Sequence, residues 1–68
     1  MFFDYYKILG VDHNADNNTI KTAYKKQMLQ YHPDKVIHMG EGFQKAAKEK
    51  FQKIQDSYEN IKKTRGFV

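Results

Sequence analysis

Apolar residues in this chain recur at helical spacing in two stretches, separated by one abrupt stop. From Ile20 onward, Ile20, Ala23 or Tyr24, Gln27 and Tyr31 follow one another at three- and four-residue steps. Such a pattern predicts one face of a helix over about residues 17–31, with Asp16 as its N-cap. A second pattern, Ala47, Phe51, Ile54, Tyr58 and Ile61, predicts a longer helix over about residues 42–63. A short first helix is expected over about residues 3–9, where Tyr6 and Leu9 share a face, Asp4 suits the positive end of the dipole and Gly10 suits a C-terminal cap.

Between the two longer patterns stands Tyr31-His32-Pro33-Asp34-Lys35. Proline removes a backbone donor and clashes with the preceding turn, and the residue before it is pushed out of helical geometry. The helix must therefore stop at His32, and residues 32–41 are expected to form a loop that presents the tripeptide His32-Pro33-Asp34 to solvent. Gly40 and Gly42 punctuate the way into the third helix. These elements predict an all-α fold in which helices two and three form an antiparallel hairpin and the short N-terminal helix lies across it.

Gln27 is a polar residue on the expected apolar seam, and burial of its amide without a partner would cost about 1–3 kcal/mol. On this reading Gln27→Leu stabilises the domain, while flexible Met28 fills volume beside it. Phe51 and Tyr58 lie on the seam of the third helix and are expected in the core. The pairs Glu49–Lys53 and Glu59–Lys63 are spaced for helical ion pairing.

With 68 residues, the chain has room for one domain and a thin core. It contains no cysteine, so disulfides and thiolate chemistry are excluded. No apolar run is long enough to span a membrane. Met1-Phe2-Phe3 does not form a signal peptide.

The formal net charge is +4, and part of it is concentrated. Residues 17–31 carry Lys21, Lys25 and Lys26 and no acid, and Lys35 follows the tripeptide. A lysine cluster on a helix is most simply a solvated surface. Here it adjoins a loop tip, where binding residues concentrate, and a patch of one sign steers and orients an acidic partner. Tyr24 among these lysines fits either a core position or an interface anchor.

His13, His32 and His38 match no zinc spacing, so no metal is expected. His32 and Asp34 have no adjacent nucleophile to form a relay, and the chain has no glycine-rich phosphate loop, so neither catalysis nor a cofactor is expected. Asp34 offers a carboxylate able to take two parallel bonds from a partner arginine, and Pro33 restricts the backbone that presents it.

The ordered set Asp4-Tyr5-Tyr6-Lys7-Ile8-Leu9-Gly10, Ala23-Tyr24, His32-Pro33-Asp34 and Lys50-Phe51-Gln52-Lys53-Ile54-Gln55-Asp56-Ser57-Tyr58 closely resembles the J domain of DnaJ-type co-chaperones, over residues 1–68. J domains usually carry leucine where Gln27 stands. The long loop Val36–Phe43 and the ending Ile61–Val68 narrow the resemblance to the C-terminal J domain of DjlA-like membrane-anchored J proteins. The resemblance implies a cytoplasmic domain, held at the cytoplasmic face of the inner membrane if the chain is a fragment of a DjlA-like protein whose membrane segment lay upstream, with no membrane contact by this segment itself.

The resemblance implies a partner: the nucleotide-binding domain and linker of a DnaK-type heat-shock chaperone. It implies activation of that partner's ATP hydrolysis without catalysis by this chain. His32, Pro33, Asp34, Lys21, Tyr24, Lys25, Lys26 and Lys35 would form the contact, with His32 holding the loop and Asp34. The alternative is a small basic helical module that binds nucleic acid. Its basic helix lacks arginine for base readout, so no nucleic acid is expected as partner.

Overall fold

A computed structural model describes residues 4–67. Within them the order is α1 (Tyr5–Leu9), α2 (Asn17–Tyr31), a single 3₁₀ turn (Pro33–Lys35) and α3 (Glu41–Arg65). The described residues hold helices and no strand. α2 and α3 pack together, and α1 lies against both. The expected start of the first helix at Phe3 lies outside the described residues.

Local chemistry sets each boundary. The Asp4 carboxylate caps α1 by accepting from the Lys7 N–H at 3.2 Å. Gly10 ends α1 at φ +71°, a left-handed conformation that suits glycine. Asp12 forms a turn by accepting from the Asn14 N–H at 2.9 Å. Asp16 then caps α2 through the Thr19 N–H at 2.8 Å. Gly66 ends α3 at φ +70°, and the Gly66 and Phe67 N–H groups both donate to the Lys62 carbonyl. α3 thus includes Gly42 in its first turn and continues two residues beyond the expected Lys63.

Leu9, Ile20, Ile54 and Ile61 form the buried core, one residue from α1, one from α2 and two from α3. Tyr6, Val11, Tyr24, Met28, Tyr31 and Tyr58 pack around it. The seam differs from its sequence pattern in three ways. Phe51 and Tyr58 are half-buried at its edges rather than inside. Ser57 is buried, its hydroxyl satisfied by donating to the Lys53 carbonyl at 2.7 Å. Val36, in the expected loop, is also buried.

Gln27 departs most from expectation. α1 covers this part of α2, and the Gln27 amide donates to the carbonyls of Leu9 at 2.7 Å and Ile8 at 3.3 Å. Its polarity is therefore matched by the C-terminal carbonyls of α1, which lack helical partners of their own. Glu49–Lys53 and Glu59–Lys63 do not close into ion pairs among the described residues. Among the described residues, no helix is long and apolar enough to cross a membrane.

Candidate functional site

The His32-Pro33-Asp34 tripeptide is one ordered turn. His32 ends α2 with φ −60° and ψ 138°, the extended geometry required before proline. Pro33 opens the 3₁₀ turn, where its missing N–H costs nothing. The Lys35 N–H donates to the His32 carbonyl at 2.9 Å, and the Val36 N–H to the Pro33 carbonyl at 3.2 Å. Val36 is the apolar peg that fastens this turn to the body of the domain.

His32 braces the turn in two directions. Its Nδ1 accepts from the Asp34 N–H at 3.2 Å, and its ring meets Phe51 of α3 edge to face, with centroids 5.9 Å apart. An Nδ1 that accepts carries no proton. The Asp34 carboxylate, 3.8 Å from that same nitrogen, is therefore no ion-pair partner in this state. The Asp34 side chain is 89% exposed. Backbone and imidazole fix the residue, while its charge stays open to solvent.

The basic residues do not form one stripe. Successive residues on an α-helix are turned by about 100°. Lys21 and Lys25, four apart, share one flank of α2, and Lys26 lies on another. Lys26 lines a recess at the end of α1 together with Lys7, Gly10, Gln30 and Lys50. Lys25, Lys26 and Lys35 are exposed, whereas Lys21 is half-buried with its ammonium 5.6 Å from the Phe67 ring centroid.

Tyr24 is neither wholly inside nor wholly exposed. It packs on the core and is half-buried, with its ring stacked on Tyr58 at 3.9 Å and 8°. His13 and His32 serve different places: His13 stacks on Tyr6 and pairs with Asp4 at 3.0 Å. That hydrogen bond and the Lys7 N–H hold the Asp4 carboxyl below its ordinary range. No group of three or more metal-ligating side chains is assembled among the described residues.

Three features near the site carry no sequence signal of their own. Lys50 of α3 lies 4.8 Å from the Tyr31 ring centroid, adding a cation from the third helix beside the last residue of α2. A groove of about 640 Å³ runs between the 3₁₀ turn and α3, lined by Tyr31, Pro33, Val36, Gln44, Lys48 and Phe51 among others. Gln44 secures the loop beside it, its amide donating to the carbonyls of Met39 at 2.7 Å and Ile37 at 3.2 Å. The aromatic at 51 was legible as a seam position, but its contact with His32 depends on how the loop folds back.

The family described as DnaJ domain matches residues 4–65. The co-chaperone protein DjlA of Vibrio vulnificus strain YJ016 is 50% identical over 66 residues, which are 94% of this chain and 23% of that protein. The DjlA of Haemophilus ducreyi is 42% identical over a stretch of the same coverage. The chaperone protein DnaJ of Fusobacterium nucleatum subsp. polymorphum is 48% identical over 56 residues, 82% of this chain and 14% of its own length. The chain thus spans less than a quarter of the length of these relatives. No solved structure matches it. By the match over residues 4–65, its helical hairpin and the His32-Pro33-Asp34 turn, the chain belongs to the DnaJ domain family and is similar to the J domains of DjlA proteins.

Proposed function

We propose that this domain is a co-chaperone module that docks on the nucleotide-binding domain and linker of a DnaK-type heat-shock chaperone and stimulates its ATP hydrolysis. Hydrolysis then couples the chaperone to client protein binding. The domain itself acts as an activator, not an enzyme. The observation that carries this reading is the Asp34 carboxylate, exposed at the tip of a turn whose backbone is fixed by His32, Pro33 and Val36. A preorganised carboxylate loses little entropy on meeting an arginine and can take two parallel bonds from it.

Lys21, Lys25, Tyr24 and Lys35 supply the rest of the contact, with Lys26 approaching from the neighbouring flank of α2. Their positive charge steers an acidic surface on the chaperone and sets its orientation. Stimulation requires that the domain bind the hydrolysing state of the chaperone more tightly than the resting state, because equal affinity shifts no equilibrium. Location in the cytoplasm, at the cytoplasmic face of the inner membrane where the chain is part of a DjlA-like protein, belongs to the same proposal.

Single-turnover ATP hydrolysis by a DnaK-type chaperone, with and without the domain, tests the reading. Acceleration that saturates with domain concentration supports it, and an unchanged rate refutes it.

A further inference from the structure

Behind two of the docking residues runs a ladder of aromatic rings. Tyr24 of α2 stacks on Tyr58 of α3 at 3.9 Å, and Tyr58 meets Phe67 edge to face at 6.1 Å. The Lys21 ammonium lies 5.6 Å from the Phe67 ring centroid. Lys62 places a second cation 5.6 Å from the Tyr58 centroid. Lys21 and Tyr24, three residues apart on α2, are thus both held by rings that α3 and the residue just beyond its end supply.

Phe67 reaches this place because of Gly66. At φ +70°, Gly66 turns the chain back on the helix it has just left, and the Phe67 N–H donates to the Lys62 carbonyl at 3.3 Å. The ring then lies half-buried against the core cluster. A free lysine samples many rotamers and loses that freedom when it docks. One already held over a ring loses less, so the ring contributes to binding without touching the partner.

We propose that Phe67 is a positioning residue of the docking face: its ring holds Lys21 and backs the Tyr58–Tyr24 stack in the arrangement that the chaperone meets. The inference rests on the docking reading above and extends it to a residue outside the 4–65 match. Affinity for the chaperone is then set partly by the segment that leaves α3.

The test uses the 68-residue chain and a DnaK-type chaperone in its ATP state. Phe67→Leu keeps an apolar side chain and removes the aromatic face, whereas Phe67→Trp keeps a face. Phe67→Leu should weaken chaperone binding roughly three- to fivefold, the range of an exposed cation–π contact. Phe67→Trp should bind as the original chain does. In a Lys21→Met background, Phe67→Leu should cause a smaller further loss, because the contact with Lys21 is already gone and only the support of the Tyr58–Tyr24 stack is left to lose.

An independent readout uses the free domain. NMR should show the Lys21 ε-methylene protons shifted upfield by the Phe67 ring current, and the shift should vanish in Phe67→Leu. Absence of that shift in the original chain overturns the inference, as does an undiminished loss in the Lys21→Met background. A shift present with binding indifferent to Phe67→Leu overturns this inference alone. A chain with the shift that does not bind the chaperone at all overturns the docking reading, and this inference with it.

Discussion

The Gln27 side-chain amide lies 2.7 Å from the Leu9 carbonyl and spans the gap between α2 and the C-terminal end of α1. A polar residue on an apolar face is costly only while its hydrogen-bonding groups lack partners. Here the geometry supplies two acceptors, since Ile8 also offers its carbonyl. Gln27→Leu should therefore destabilise the domain, by about 0.5–1.5 kcal/mol, the range of a typical net hydrogen bond. Urea melts of the two chains measure it. A more stable leucine variant would show that apolar contact outweighs the strut.

Arg65 joins three otherwise separate segments. Its guanidinium donates to the Tyr6 hydroxyl at 3.0 Å, the Asn17 side-chain oxygen at 3.0 Å and the His13 carbonyl at 2.9 Å. It also lies 5.2 Å from the Tyr6 ring centroid. Arg65→Lys keeps the charge and loses the planar fork. It should cost about 1–2 kcal/mol, below the full value of three charged hydrogen bonds because the site is only half-buried. A lysine variant that melts with the original chain would mean that these bonds add nothing to stability.

The hairpin was legible because helical periodicity, Asp16 and Pro33 act within a few residues of where they stand. Gln27 was misread because its partners are backbone carbonyls of α1, and backbone acceptors leave no trace in composition. Val36 was missed for a related reason. A single apolar residue in a loop has no period, yet it fastens the turn that presents Asp34. The stop at Pro33 and the exposure of the tripeptide were legible, but its 3₁₀ turn was not, and the two flanks of the basic helix were not separated. Helical geometry sets them apart by angle, but what each flank faces depends on where α1 and α3 lie, and Lys26 shares its recess with Lys7 of α1 and Lys50 of α3.

Burial of Tyr58, with smaller effects from Tyr24 and Glu59, raises its hydroxyl pKa above the ordinary value. In the unfolded chain the hydroxyl ionises near pH 10. The folded domain keeps the proton to higher pH. Stability from this difference is complete below about pH 10 and is lost as pH rises through the folded pKa. Tyr58→Phe keeps the stacked ring and removes the titration. Melting temperatures of both chains should fall in alkali, and the fall should be steeper for the original. Parallel curves would contradict the assignment.

Lys25 and Lys26 are exposed, so a charge reversal should spare the fold. Glutamate is also a comparable helix former. Lys25→Glu/Lys26→Glu should melt within about 0.5 kcal/mol per site of the original chain. Chaperone affinity should fall, and the affinity of the original should fade as salt rises. Unchanged binding by the double variant, or affinity indifferent to salt, would move the docking surface elsewhere. Tight duplex DNA binding, lost in the variant, would favour a nucleic-acid module instead.

The central claim is that Asp34 contributes to partner activation and not to the fold. Asp34→Asn keeps the shape and the backbone N–H that donates to His32, and removes the charge. If the carboxylate pairs with a partner arginine, the loss is about 2–5 kcal/mol of coupling. Single-turnover ATP hydrolysis by a DnaK-type chaperone, run beside a circular-dichroism melt of the same preparations, separates the two roles. The account predicts that Asp34→Asn nearly abolishes stimulation while its melt stays within about 0.5 kcal/mol of the original. Normal stimulation by Asp34→Asn, or an unfolded variant, would contradict it.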